Sequence, residues 1–179
     1  MSFVLLGCTS LMAFGVGSGA STADAGPIAS GSMATSRGGC AGVSSEELLA
    51  AINAARARRR QCGDVTQPPA PAVAWSSALA RTASQHASDL AARADISHTG
   101  SDGSDVGQRA SAAGYGWTSV AENIAGGPAS VAQVMSGWLS SPGHCANIMG
   151  ASFRDVGMAC VMQAGSLYTR YWTLVLARP

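Results

Sequence analysis

Apolar residues recur at helical intervals soon after residue 44. Ser44-Ser45-Glu46-Glu47 precedes Leu48, Ile52 and Ala55, and Ser44 and Glu47 have the spacing of a capping box. The pattern predicts a helix from this point. Arg56, Arg58, Arg59 and Arg60 crowd its end, where positive charge suits the helix dipole, and Gly63 after Cys62 reads as its stop. Pro68, Pro69 and Pro71 then predict a rigid loop up to Trp75. A second helix is predicted to open near Ser76 or Ser77. Its stripe is Leu79, Ala83, Ala87, Leu90 and Ala94, and it ends before Ser97-His98-Thr99-Gly100.

Asp102-Gly103 is a turn signal, and residues 105–113 read as a short helix ended by Gly114. Trp117 to Ile124 is predicted as a strand closed by Gly126-Gly127. Pro128 suits the first turn of the next helix, which carries Val131, Val134, Met135 and Trp138. Ser141-Pro142-Gly143 reads as a break, with one further turn over residues 144–149. Val156 to Met162 and Leu167 to Leu176 read as strands of a hairpin turned at Gly165-Ser166. Helices in the first two thirds and a closing hairpin predict an α+β layered domain.

Composition adds boundaries. The chain has 179 residues, a net charge of +1 and 12% charged residues. Without a basic stripe, a nucleic-acid partner is not expected. A 47% apolar content is ample for a packed core. Residues 1–25 read as an export signal or lipoprotein leader, with Phe3-Val4-Leu5-Leu6 as the most apolar piece. Leu5-Leu6-Gly7-Cys8 resembles a lipobox, which makes Cys8 a lipidation candidate; cleavage near Ala20 or Ala25 is the alternative. Residues 26–39 read as a flexible Gly/Ser-rich spacer and residues 40–179 as the domain. The expected location is secreted or in the cell envelope, with membrane contact only through a lipid anchor.

There are five cysteines, an odd number. Setting Cys8 aside leaves Cys40, Cys62, Cys145 and Cys160 for two disulfides in an oxidising compartment. Sequence proximity favours Cys40–Cys62 and Cys145–Cys160 among three connectivities. Loops of that size stabilise by about 3 kcal/mol each in the chain-entropy model. Without a Cys-x-x-Cys pair, a cysteine zinc site is disfavoured. A Cys145 nucleophile is disfavoured too, because pairing consumes the thiol.

Chemistry-bearing residues are scarce: three histidines, and glutamate only at Glu46, Glu47 and Glu122. His98 follows a helix, Glu122 lies in the apolar run Val120-Ala121-Glu122-Asn123-Ile124, and His144 follows Ser141-Pro142-Gly143. Two histidines and a carboxylate are a usable metal set with positions left for water. They are equally an acid/base set, with Glu122 as candidate general base. Their spacing alone proves neither, and a helix cap, a satisfied buried carboxylate and a loop histidine remain open. His86 falls on the buried stripe of its helix and reads as packing.

Several segments together resemble the CAP superfamily: cysteine-rich secretory proteins, antigen 5 and pathogenesis-related 1 proteins, also called the SCP domain. They are Asn53-Ala54-Ala55-Arg56, Trp75, Ser97-His98-Thr99-Gly100, Arg109 with Ala113-Gly114-Tyr115, and Ala121-Glu122-Asn123-Ile124-Ala125. Further along come Trp138-Leu139-Ser140-Ser141-Pro142-Gly143-His144 with Asn147-Ile148-Met149, Phe153 with Val156-Gly157, and Tyr171-Trp172. Order and spacing match the bacterial branch from Cys40 to Pro179.

The resemblance implies a three-layer α-β-α sandwich with a central, mainly antiparallel sheet. It also implies a cavity lined by His98, Glu122 and His144. Some members bind zinc or another divalent cation between the two histidines, here His98 and His144. Others bind sterols or fatty acids, and protease activity has been proposed for a few. Animal members carry a second glutamate three residues after the tryptophan; Ser141 stands there in this chain, with Asp102 or Asp105 as the substitutes to consider. The leading expectation is an exported, monomeric binding module that takes a divalent metal and a small apolar or protein ligand. The alternatives are a metal-assisted peptidase or esterase using the same cavity, and a structural cell-envelope protein. Gly-x-Ser-x-Gly and His-Glu-x-x-His motifs are absent, so catalysis is not the favoured expectation.

Overall fold

The computed structural model describes residues 38–179. The leader, Cys8 and most of the spacer lie outside the described residues. Gly38 and Gly39 form a short strand, β1, that pairs with Met162 and Val161. The sheet therefore takes up the last two residues assigned to the spacer.

The first helix, α1 (Ser45–Arg56), is capped by Ser44, whose Oγ accepts from the Glu47 amide at 3.2 Å. It stops earlier than its sequence suggests. Arg56 is fully buried and donates to the carbonyls of Pro71, Ile148 and Gly150. Arg60 and Cys62 have left the helix for β2 (Arg60–Cys62), which pairs with β3 (Val65–Gln67). Gly63 is not a helix stop; its φ of +63° makes the hairpin turn.

After β4 (Ala74–Trp75) comes α2 (Ser77–Arg93), which Ser76 caps. Ala94 turns the chain out of α2 in the left-handed region, φ 51°. The next helix, α3 (Val106–Ala112), is opened by a capping box between Asp105 and Gln108. β5 (Ser119–Gly126) and α4 (Val131–Ser140) follow. Ser130 caps α4, so Pro128 lies outside that helix, where its carbonyl accepts from Trp172 Nε1 at 2.9 Å. Pro142 starts a full helix, α5 (Pro142–Met149), where a break and a single turn were expected. A proline at the first helical position costs no hydrogen bond, so the same residue ends one helix and begins the next. β6 (Asp155–Met162) and β7 (Arg170–Arg178) close the chain.

The main sheet runs β1-β6-β7-β5, with β4 alongside β6. All its pairings are antiparallel except β4–β6, so the central sheet is mainly antiparallel as expected. Alternation sorts the strands onto two faces. Val156, Met158, Trp172, Leu174 and Leu176 pack under α1, α4 and α5. Val161, Tyr171, Val175 and Ala177 face the other way, toward α2 and α3. The result is an α+β fold in three layers.

The disulfides are Cys40–Cys160 and Cys62–Cys145, not the local pairs that proximity favours. Topology explains the correction. β1 lies against β6, so the Cys40 amide donates to the Cys160 carbonyl and the two Cα atoms stand 5.4 Å apart. β2 lies against α5, which brings Cys62 to Cys145, again at 5.4 Å. The closed loops span 120 and 83 residues. In the chain-entropy model each bridge alone is then worth about 4.5–5 kcal/mol.

Candidate functional site

Register decides which way Glu122 points. In β5 it sits opposite Val175, so it shares the sheet face of Ile124, Val175 and Ala177 beneath α2 and α3. Its side chain is 2% exposed. A carboxylate this deep needs partners. Arg109 of α3 donates from Nη2 to Oε2 at 2.7 Å. His98, in the loop after α2, donates from Nδ1 to Oε1 at 2.9 Å. His86 of α2 holds Nε2 at 3.7 Å from the same Oε1.

Each partner is itself held. Arg109 also donates to the carbonyls of Ser104 at 2.6 Å and His98 at 3.1 Å, so it fixes the loop that carries His98. His86 Nε2 lies 2.9 Å from the Ser97 carbonyl. A carbonyl only accepts, so Nε2 carries the proton. Burial pushes the His86 pKa down, partly offset by the charge of Glu122. His86 is packed, as its stripe position predicts, and it also faces the carboxylate.

The His98 ring is the outward part of this group, with 56% of its side chain exposed. Because a carboxylate only accepts, Nδ1 carries a proton in this bond, and the neutral tautomer this selects is the one that keeps a lone pair on Nε2. Glu122 thereby orients the ring and selects its tautomer.

His144 arrives from the opposite layer. Asn123, next to Glu122, projects to the other face of β5. Its Nδ2 donates to the His144 carbonyl at 3.1 Å, and its Oδ1 accepts from Asn147 Nδ2 at 2.9 Å. Asn147 also reaches the Glu122 carbonyl at 3.4 Å. These amides fasten α5 to β5, the outer strand of the sheet. The half-buried His144 has its pKa pushed down by burial and then by the charge of His98. Lowered pKa keeps the imidazole neutral, the form that ligates metals.

Among the described residues, His98 and Glu122 are hydrogen-bonded, and no hydrogen bond joins the His144 ring to either. No group of three or more His, Cys, Asp or Glu among them is placed to hold a metal ion. Ser141 stands at the N-cap position of α5 without a side-chain capping bond, Asp105 caps α3, and Asp102 lines a cavity between α2 and α3. None of these three supplies a second carboxylate to the group. Cys145 is fully buried in its disulfide, which removes it as a nucleophile.

Sequence reasoning passed over Arg109 as the counter-ion. It occurs in the motif string, but thirteen residues and a change of element separate it from Glu122. The one signal available was that a carboxylate in an apolar run requires a cation somewhere.

The sequence matches the model of the cysteine-rich secretory protein family, CAP, over residues 49–176. The fold is similar to an extracellular protein containing an SCP domain from Bacillus anthracis strain Ames, with a TM-score of 0.62 at 23% identity. That match covers 75% of this chain and 40% of the Bacillus chain, so this chain spans less than half of that protein. It is also similar to an outer surface protein from Borrelia burgdorferi, with a TM-score of 0.56 at 18% identity, covering 61% of this chain and 79% of the other. No match was found among curated proteins.

Proposed function

The chain belongs to the cysteine-rich secretory protein family, and from that premise we propose that it is an exported binding module whose His98 and His144 present imidazoles to a divalent cation. Export is supported by the two disulfides, which persist in oxidising compartments. The observation that carries the cation reading is the 2.9 Å bond from His98 Nδ1 to Glu122. It is a carboxylate–histidine pair on an imidazole more than half exposed, the arrangement that orients metal-ligating histidines. His144 adds a second imidazole kept neutral by its surroundings.

The donor chemistry fits two imidazoles with water completing the shell, which is an exchangeable site. A cation there supplies a positive centre for a carbonyl or carboxylate of an apolar small molecule or a protein. Glu122 stays outside the shell, since Arg109 occupies Oε2 and His98 occupies Oε1. For the same reason a hydrolase using Glu122 as general base has little support: the carboxylate is buried and turned inward.

Isothermal titration of the full chain with Zn²⁺ near pH 7.5 tests the reading. Binding is expected, with loss in His98→Ala and in His144→Ala, and weakening as the pH falls, because protons compete with the metal for ligating nitrogens. Equal binding by wild type and both variants would discard it.

A further inference from the structure

The stretch that leaves α1 is the most basic in the chain. Residues 56–72 hold four arginines, Arg56, Arg58, Arg59 and Arg60, against one acid, Asp64. Arg56 is the buried one, while Arg58 and Arg59 are exposed. We propose that this face docks on an anionic phospholipid membrane surface, with the arginines at the headgroups and the β2–β3 hairpin and its proline loop against the interface.

Two segments running side by side build the face. Arg60 stands opposite Gln67 in the β2–β3 ladder. Beyond the ladder, the Ala70 amide donates to the Arg56 carbonyl at 2.9 Å, and Arg56 Nε donates to the Pro71 carbonyl at 2.8 Å. Residues 67–71 therefore lie alongside residues 56–60, which brings Pro68 and Pro69 beside the Arg58–Arg59 turn. The Cys62–Cys145 bridge ties the hairpin to α5, so the face is a fixed part of the domain.

Structural duties account for only part of the charge. Arg56 serves the carbonyls already described, and Arg60 Nε donates to the Ala55 carbonyl at 3.2 Å. The side chains of Arg58 and Arg59 make no hydrogen bond and no ion pair among the described residues. Adjacent guanidinium groups without counter-ions repel one another, and an anionic surface relieves that repulsion.

Apolar exposure selects a bilayer over a soluble polyanion. Val65 is 56% exposed. Alternation puts it on the same side of the hairpin as Arg60. Pro68, Pro69 and Pro71 are exposed as well. Apolar side chains among arginines are the composition of a surface that lies at the boundary of headgroups and acyl chains. A soluble polyanion rewards the charge and leaves the apolar area in water.

The test is sedimentation of the full chain with vesicles of phosphatidylcholine alone, and of phosphatidylcholine with about 30 mol% phosphatidylglycerol. Binding is expected to be stronger on the anionic vesicles and to fall as salt screens the field. Arg58→Gln combined with Arg59→Gln should weaken it about 25-fold, roughly fivefold per arginine. Val65→Ser should weaken it about threefold and leave binding to soluble polyphosphate unchanged. Arg81→Gln, which removes an exposed charge from α2 in the opposite layer, is the control and should change binding less than about twofold. All four side chains are exposed, so the variants should fold, and near-UV circular dichroism verifies it. Any attachment through residues 1–25 is common to every protein compared. Zinc titrations should be unchanged in the arginine variants. Vesicle binding should persist as the pH falls, because arginine stays charged, so this proposal and the cation reading can fail separately. Equal binding to both vesicle types, or an arginine double variant that binds like wild type, would overturn the proposal. So would an Arg81→Gln loss as large as that of the double variant, Val65→Ser without effect on vesicles, or binding of polyphosphate but not of vesicles.

Discussion

Arg109 and Glu122 form an ion pair inside the protein, with Nη2 and Oε2 2.7 Å apart and side chains 9% and 2% exposed. The pair carries the site. It sets the carboxylate that orients His98, and the same guanidinium holds the His98 carbonyl. Buried pairs repay their desolvation only when the remaining hydrogen-bonding capacity is also used. Three of the contacts to Arg109 and Glu122 described above serve that purpose: those to Ser104, the His98 carbonyl and the His98 ring.

Removing one member should therefore cost more than removing both. Arg109→Met leaves a buried carboxylate without its guanidinium partner and should destabilise the fold by about 3–5 kcal/mol. Arg109→Met combined with Glu122→Met should recover part of that loss. Urea unfolding of the two variants measures the difference. A single-variant loss below about 1 kcal/mol, the value of an exposed pair, would contradict this account.

Stability should fall as pH drops through the histidine range. His86 and His144 both have pKa values lowered in the folded state, burial being the larger cause in each. Below an unfolded pKa of about 6.5 the unfolded chain binds protons that the native rings refuse, so protonation favours unfolding. The loss begins near that pKa and continues until the native rings titrate. Denaturant midpoints at pH 7.5 and 5.5 should show it, before most carboxylates protonate. The fall should be shallower in His86→Gln, which removes one of the two groups.

Gly157 should not tolerate a methyl group. A Cβ built there runs into the backbone at Leu79 and Ala80, because α2 crosses β6 with its main chain against the strand. Gly157→Ala must lift α2 from the sheet and should cost about 3 kcal/mol, the upper range for overpacking. Gly143→Ala is the control. A Cβ there meets nothing within 4 Å, and alanine suits a helix better by up to about 1 kcal/mol. Thermal melts of the two variants should move in opposite directions.

Parts of this architecture are legible in the sequence for local reasons. The stripe of α2 and the Ser44 cap of α1 each lie within a few residues, so pattern alone finds them. The β2–β3 hairpin is hidden because three-residue strands show no alternation, and the arginines before them continue a helix-compatible run. Pro142 reads equally as an end or a beginning; packing of α5 on β2 and β5 decides it. Glu122 stands out as a carboxylate among apolar residues. Its partners do not, since they come from α2, the following loop and α3. The disulfide pairing likewise depends on which strands are neighbours, and proximity along the chain is no guide to that.

The Cys40–Cys160 bridge also sets how the domain bears load. A pull applied between residue 40 and Pro179 passes through the disulfide to Cys160, and on along residues 160–179. Everything from α1 to the first half of β6, including Glu122 and the Arg109 and His98 that hold it, lies in a covalent loop off the force path. Only these last 20 residues can extend, by at most about 70 Å at ~3.5 Å per residue. With the bridge intact, tension must peel β7 from its neighbours. With both bridges reduced, all 140 residues from Cys40 onward become extensible; with only this one reduced, the Cys62–Cys145 bridge still keeps the chain between those two cysteines out of the force path.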